Sequence, residues 1–202
     1  MGLRELKKEK TRLALLDAAL DLFLEQGYDS TTVDQIAGAV DVSPRTFFRY
    51  FTSKDHLVHW YHDQGEETML EALAAGAPGE PPFASMTRAV RALLRDMKGA
   101  TPADTERFLK LRRLMEANPQ LADHAIGRSI ETERRLVGAI AALRGVDPVT
   151  DPLSHLIVTF AMAAMRVGFE CPAHQEGLQE MVRRIEETLQ LVERSLRPGW
   201  DA

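Results

Sequence analysis

Residues 31–57 contain three helix starts so close together that only short helices fit between them. Thr32, with a glutamine three residues later, has the pattern of a capping box. Ser43 followed by Pro44 marks a second start, because serine is a strong N-cap and proline is favoured at the first helical position. Ser53 predicts a third start. The stretch therefore predicts two short helices joined by a tight turn, with another helix directly after them.

The second of these short helices, residues 44–51, has an unusual composition. It carries two arginines, a threonine, a tyrosine and three phenylalanines, and it has no acidic residue. The helix before it has apolar residues at helical spacing and hence a buried face, and Asp41 stands at the turn between them. Two helices joined in this way, the second bearing arginine, threonine and tyrosine, match the helix-turn-helix that enters the DNA major groove. A small helical hairpin with a solvated basic face also fits the spacing.

A longer motif carries a family resemblance. It reads Val42-Ser43-x-x-Thr46-Phe47-Phe48-x-Tyr50-Phe51-x-x-Lys54-x-x-Leu57, and it follows Gly27-Tyr28 and Thr31-Thr32-Val33. This run resembles the signature of the tetracycline-repressor (TetR) family of DNA-binding regulators. The resemblance implies that Thr32 and Lys54 hold DNA phosphates while the helix at 44–51 faces the groove. The residues expected at the DNA are Thr32, Ser43, Pro44, Arg45, Thr46, Phe48, Arg49, Tyr50 and Lys54.

The chain departs from the family pattern at two positions. Asp41 replaces the usual glycine of the turn, and aspartate tolerates a left-handed backbone better than most residues. Phe48 replaces the usual tyrosine, so one expected hydrogen bond to a phosphate or a base is lost. Lys54 follows the pattern, and it lies near the start of a helix, where a cation opposes the helix dipole. Its position therefore predicts an anion site with phosphate as the ligand.

The distribution of charge is compatible with DNA binding, although the formal net charge is −5 over 202 residues. Residues 1–12 hold five cations and two acids, and residues 43–54 hold three cations and no acid. A local basic patch, rather than the net charge, decides whether a protein can approach phosphates. The basic start of the chain is either an arm that touches DNA or a solvated tail.

Cysteine usage and hydropathy indicate the compartment. A single cysteine excludes an internal disulfide framework and suits a reducing cytoplasm. The N-terminus lacks the apolar segment of a secretory signal. The longest apolar run, residues 156–165, falls short of the roughly 20 residues that span a bilayer. We expect a cytoplasmic protein with no membrane partner.

The complete chain predicts an all-α fold. Residues 1–58 would form an N-terminal three-helix helix-turn-helix DNA-binding domain, and residues 59–202 a larger helical effector-binding and dimerisation domain. One long amphipathic helix is predicted before the helix-turn-helix, and one continuous helix from Ser53 to about Ala75 after it. The predicted helices outside the helix-turn-helix cover residues 3–26, 53–75, 83–97, 102–117, 119–143, 152–170 and 178–196.

The last two helices predict an interface. The helix from Pro152 is apolar almost all round and carries small residues, and the final helix has apolar residues at alternating steps of four and three. The two helices either close a core within the chain or pair with their copies as a four-helix interface, and the surplus of apolar surface favours a homodimer. The residues expected at this interface are Leu156, Phe160, Ala164, Leu178, Val182, Ile185 and Leu189.

Methionine and aromatic side chains recur between residues 60 and 169. They fit an ordinary helical core, but the family resemblance implies a pocket for a small-molecule effector, which soft methionine-rich walls would suit. Arg166 is a cation inside an otherwise apolar helix and should pair with a carboxylate, either Glu170 or that of a ligand. The residues expected at the effector are Trp60, Met86, Phe108, Met115, Met162 and Arg166.

Other chemistry has little support in the chain. His56, His59 and His62, with Glu66, recur at helical spacing and would suit zinc, but partly packed histidines on a linking helix are the commoner case. Cys171 is either a redox sensor or inert packing. No catalytic motif or cofactor site is recognisable. An enzyme and a helical scaffold without DNA-binding activity are the two alternatives to a regulator. The sequence predicts a DNA-binding regulator, a repressor that binds a palindromic operator as a homodimer and is released by an effector.

Overall fold

A computed structural model describes residues 2–170 and 177–201, apart from the side chain of Glu170. Cys171 therefore lies outside the described residues. The described residues form ten helices and no strand, which confirms the all-α prediction. The helices are α1 (Leu3–Gln26), α2 (Val33–Ala39), α3 (Pro44–Tyr50), α4 (Lys54–Val58), α5 (Trp60–Ala74), α6 (Pro82–Lys98), α7 (Pro102–Ala117), α8 (Pro119–Arg144), α9 (Pro152–Glu170) and α10 (Leu178–Ser195).

The three short helices begin directly after the predicted N-cap residues. Thr32 forms a complete capping box at α2 with Gln35, while the Ser43 and Ser53 hydroxyls accept hydrogen bonds from backbone N–H groups at the starts of α3 and α4. The turn between α2 and α3 contains Asp41 with φ of 53°, so aspartate does adopt the left-handed backbone that the family pattern assigns to glycine. The ends of the two helices of the helix-turn-helix are therefore determined by residues close to them in the sequence.

The prediction of one continuous helix from Ser53 to Ala75 is wrong. The chain leaves the helical conformation at His59 (φ −91°, ψ 3°), which separates α4 from α5. The His59 backbone N–H donates to the Asp55 carbonyl at 3.1 Å, and this bond closes the last turn of α4. The imidazole of His59 is buried, and this tertiary burial accompanies the break.

The helices divide into two compact units. The first unit contains residues 1–62 and 102–125, and the second contains residues 63–101 and 126–202. The packing units therefore differ from a simple division at residue 58, because α7 and the start of α8 belong with the helix-turn-helix. The functional boundary between residues 58 and 59 stays a prediction.

The core of the first unit combines α1 to α4 with α7 and α8. Buried side chains of α1 and α3 share one cluster with Leu114 and Leu121. Arg107 on α7 donates to both carboxylate oxygens of Asp17 on α1, at 2.5 and 2.8 Å, and Lys110 pairs with Asp21 at 2.6 Å. These ion pairs and the shared apolar core join α7 to α1.

The second unit buries the predicted seam of α10 within the chain. The four residues of α10 that are predicted at the interface are all buried, and α10 packs against α6 and α9. Ala164 is buried in the same unit, and the Phe160 ring lies 5.5 Å from the Trp200 ring. Five of these six residues are buried within their own unit and Phe160 is half-buried, so in the single chain they close a core; their assignment to a dimer interface stays a prediction. The six are Phe160, Ala164, Leu178, Val182, Ile185 and Leu189.

One described helix, Pro152–Phe169, is long and apolar enough to cross a membrane by length and composition alone. Its side chains Ile157, Val158 and Ala161 are buried within the second unit. The core helix of a folded domain passes the same test, and α9 is packed as such a helix.

Candidate nucleic-acid interface

Helix α3 has one buried face and one exposed face. Phe47, and Phe51 directly after the helix, are completely buried in the core of the first unit. Turned away from that core, Pro44, Arg45 and Arg49 are exposed, and so is Phe48. Phe47 and Phe51 thus fix the helix to the core and leave its cationic side chains in solvent. This is the arrangement that a groove-binding helix requires.

Arg45 is the cation on α3 that is most available to DNA. Its side chain is exposed and makes no ion pair or side-chain hydrogen bond within the part of the chain that the structure describes. Arg49 instead lies over the ring of Tyr50, 5.1 Å from its centroid, and its Nη2 atom is 3.4 Å from the Tyr50 hydroxyl. A guanidinium can bind the O6 and N7 atoms of guanine together, so Arg45 has the chemistry to read a base.

Three of the predicted DNA contacts already take part in capping bonds. The Thr46 backbone N–H donates to the Ser43 hydroxyl at 3.2 Å, and the two hydroxyl oxygens are 3.0 Å apart. Thr32 accepts a hydrogen bond from the Gln35 N–H at 3.2 Å. All three side chains can still offer a hydroxyl to a phosphate, but their first role is to fix the starts of α2 and α3.

Lys54 lies at the start of α4, as the sequence predicts, but its side chain has partners that the sequence does not reveal. Its ammonium donates to the backbone carbonyls of Tyr28 at 2.8 Å and Thr31 at 2.7 Å, and it lies 4.5 Å from the centroid of the Tyr28 ring. The side chain is therefore directed at the loop between α1 and α2. Two of its three N–H donors have partners within the protein, and the predicted contact of Lys54 with a phosphate stays a prediction that requires the third.

Tyr28 was missed as a residue of this site. Burial, assisted by the charges of Asp55 and Asp29, raises its pKa to about 12, so the phenol stays neutral and supports the Lys54 ammonium through its ring face. The sequence signal was present, since Gly27-Tyr28 and Lys54 both belong to the family motif. Only the folded chain shows that these two parts of the motif meet.

His56 and His59 contact different neighbours. His56 accepts a hydrogen bond from the Thr52 backbone N–H at 3.0 Å, and the buried His59 lies 3.5 Å from Asp55. His124 is 3.3 Å from the same carboxylate. Across residues 2–170 and 177–201, no group of three or more His, Cys, Asp or Glu side chains is placed to hold a metal ion.

The structure does not gather the predicted effector residues into one unit. Trp60, Phe108 and Met115 belong to the first unit, whereas Met86, Met162 and Arg166 belong to the second. Trp60 and Met115 pack against the core that supports α3.

The prediction that Arg166 is a buried cation is wrong. Its side chain is exposed, because α9 buries only one face within its own unit. In the single chain the guanidinium is hydrated and needs no carboxylate to compensate for burial.

Comparisons with known proteins agree with this geometry. Residues 15–59 match the family described as bacterial regulatory proteins of the tetR family, and residues 80–197 match the MftR C-terminal domain. The first match contains the whole helix-turn-helix, and the second contains most of the second unit.

Relatives and solved structures extend the match along the chain. The HTH-type transcriptional regulator TcmR of Streptomyces glaucescens is 41% identical over 168 residues, which cover 82% of this chain and 74% of that protein. The HTH-type transcriptional repressor Rv3405c of Mycobacterium tuberculosis is 26% identical over 77% of this chain and 89% of the relative. The crystal structure of NalD, the secondary repressor of the MexAB-OprM multidrug efflux pump in Pseudomonas aeruginosa, has the same fold, with a TM-score of 0.52 and 23% identity over 96% of this chain and 99% of that one.

Proteins of this kind regulate transcription by binding DNA, which is a role distinct from that of an enzyme. The helix-turn-helix geometry, the two family matches and the extended identity with a curated regulator lead to the same assignment. This chain belongs to the TetR family of DNA-binding transcriptional regulators.

Proposed function

We propose that this protein is a repressor that binds a palindromic operator as a homodimer and is released by a small-molecule effector. The observation that carries the proposal is the exposed face of α3, on which Arg45 is unpaired within the described part of the chain. No acidic residue between positions 43 and 54 opposes the approach of phosphates. Repression is favoured over activation because one relative is a transcriptional repressor. Action on chromosomal DNA implies a cytoplasmic location.

Dimerisation follows from the size of the reading helix. Helix α3 has seven residues, so one copy reaches only a few base pairs. Two copies related by a two-fold axis would read both halves of a palindrome, with half-sites about one helical turn apart or a multiple of it. The apolar surface for pairing is supplied by the outward faces of α9 and α10, where Leu156, Val167 and Leu191 are exposed. Of the predicted interface residues, Leu156 is the one whose side chain is exposed in the single chain.

The second unit is the proposed effector-binding part. Met86 is buried there and Met162 is half-buried, and flexible thioether side chains adapt to apolar ligands. The same unit buries the Glu66 carboxylate, which accepts a hydrogen bond from Thr132 and pairs with Arg135. An effector can release the operator only by as much as its affinity differs between the free and the DNA-bound protein.

A mobility-shift titration of the full-length protein tests the proposal. The probes are DNA from upstream of its own gene and a shuffled duplex of the same composition, at physiological salt. We expect a complex with the upstream DNA at nanomolar protein, at least about a thousandfold tighter than with the shuffled duplex. Equal affinity for the two duplexes would reject the repressor. Compounds that raise the melting temperature of the free protein should then dissociate the complex, and a compound that binds both forms equally is not an effector.

A further inference from the structure

Phe48 is an apolar side chain that lies outside the hydrophobic core. It is 55% exposed, although Phe47 beside it and Phe51 three residues later are completely buried. Its exposed neighbours on the helix face are Pro44, Arg45 and Arg49. An isolated exposed apolar residue is unremarkable on most surfaces, but this one lies in the middle of the surface that is proposed to meet DNA.

The ring of Phe48 packs against the ring of a buried neighbour. It meets the ring of Phe47 edge-to-face, with the centroids 5.4 Å apart and the planes at 86°. Phe47 is itself fixed in the core and contacts Phe51 at 5.7 Å. An edge-to-face pair of this kind is a favourable aromatic contact. The buried phenylalanine therefore positions the exposed one, and the exposed ring presents a rigid apolar surface next to Arg45.

The chemistry of DNA limits what such a ring can recognise. Phenylalanine has no hydrogen-bonding group, so it can bind neither a phosphate oxygen nor a polar base edge. The major groove displays one apolar group, the C5 methyl of thymine, and phenylalanine is among the side chains that contact it. We infer that Phe48 reads a thymine methyl group, next to the base read by Arg45, once in each half of the operator. This inference rests on the proposed function, because it requires α3 to enter the groove.

The inference is tested with DNA that lacks only that methyl group. Operator sequences are first selected from random duplexes with the full-length wild-type protein. Each thymine of the selected site is then replaced by deoxyuridine, symmetrically in both half-sites, and dissociation constants are measured by fluorescence anisotropy. At one symmetric pair of thymines we expect the wild-type affinity to fall about fourfold per half-site, the value for burying one such carbon, and hence about fifteenfold for the pair.

Three variants complete the experiment. In Phe48→Ala, the replacement by deoxyuridine at that pair should have no further effect, whereas Phe48→Tyr keeps the ring and should keep the loss. Val149→Ala is the matched control, because Val149 is 86% exposed and lies outside α3; it should behave as wild type. Thermal unfolding confirms that each variant is folded, which is expected because both side chains are exposed.

Two results would overturn the inference while leaving the proposed function intact. In the first, the wild-type protein tolerates deoxyuridine at every thymine. In the second, Phe48→Ala weakens binding to all sequences equally and retains the full deoxyuridine effect, as it would if the ring contacted only sugars. A wild-type protein that selects no sequence at all would remove the proposed function and the inference together.

Discussion

The ammonium of Lys54 gives the first prediction at the scale of a residue. Two of its N–H groups are donated to the carbonyls of Tyr28 and Thr31. Lys54→Met removes the donor to the partly buried Thr31 carbonyl, whereas the Tyr28 carbonyl still accepts the Thr31 backbone N–H. We expect a loss of about 1–3 kcal/mol in the free energy of unfolding, measured by urea denaturation. Lys10→Met is the control, because Lys10 is exposed and has no ion pair among the described residues. Unchanged stability of the Lys54 variant would mean that the Thr31 carbonyl finds another donor.

The third N–H group of Lys54 remains available for a phosphate. If it makes that contact, the slope of log affinity against log salt should become shallower by about one per chain in Lys54→Met. The two measurements separate the two roles, because a purely internal tether changes stability without changing the salt slope.

Arg45 gives a second residue-scale prediction, about specificity. Its fork of donors can bind guanine bidentately, whereas lysine offers the same charge without that geometry. Arg45→Lys should keep the affinity for nonspecific DNA within about twofold and lose about 1–3 kcal/mol of discrimination at one base pair of each half-site. Competition titrations with single-base operator variants measure this. If Arg45→Lys and wild type rank all operator variants alike, Arg45 does not face a base.

At the scale of elements, the close approach of α9 and α10 depends on Gly168. A Cβ atom added there would lie 2.6 Å from Cγ1 and 2.7 Å from the Cα atom of Ile185. A backbone atom cannot move aside cheaply, so Gly168→Ala should destabilise the protein by about 1–3 kcal/mol in thermal or urea unfolding.

Gly138 on α8 is the matched control for this prediction. A Cβ atom there meets nothing within 4 Å, so Gly138→Ala should stabilise the helix by about 0.5–1 kcal/mol. A neutral Gly168→Ala would show that the two helices separate without cost.

Sequence reasoning was accurate for elements whose signals are local. The starts of α2, α3 and α4 could be predicted because each depends on a side chain that accepts a hydrogen bond from the backbone N–H three residues later. The break at His59 could not be predicted from the sequence. It accompanies the burial of the His59 side chain in the folded chain, whereas helical spacing alone predicts a continuous helix. The direction of Lys54 was hidden for a related reason, because its partners lie 23 and 26 residues earlier in the chain.

Periodicity also identified the apolar seam of α10 without identifying its partner. A stripe of Leu178, Val182 and Ile185 is equally suited to another chain and to the same chain, and only the fold shows that α6 and α9 cover it. The surplus apolar surface that favours a dimer lies on different residues, on the outward faces of α9 and α10.

At the scale of the whole molecule, the proposed dimer gives a direct prediction. Val167 is 50% exposed and Leu191 is 60% exposed, so Val167→Glu combined with Leu191→Glu should place charges in the interface while leaving the core of each chain intact. We expect a monomer by light scattering, with operator affinity reduced at least about a hundredfold, because the second reading helix is no longer tethered. Val149→Glu should remain dimeric. A double variant that stays dimeric would exclude this surface.

The composition of the first unit has a practical consequence for protein engineering. Its apolar cluster is completed by Leu114 and Leu121, which enter long after the helix-turn-helix has ended. A fragment that ends at residue 62 would expose the side chains that these leucines cover. It would also lose the ion pair between Asp17 and Arg107. A chimera that exchanges operator preference between relatives must therefore take residues 1–62 and residues 102–125 from the same parent protein.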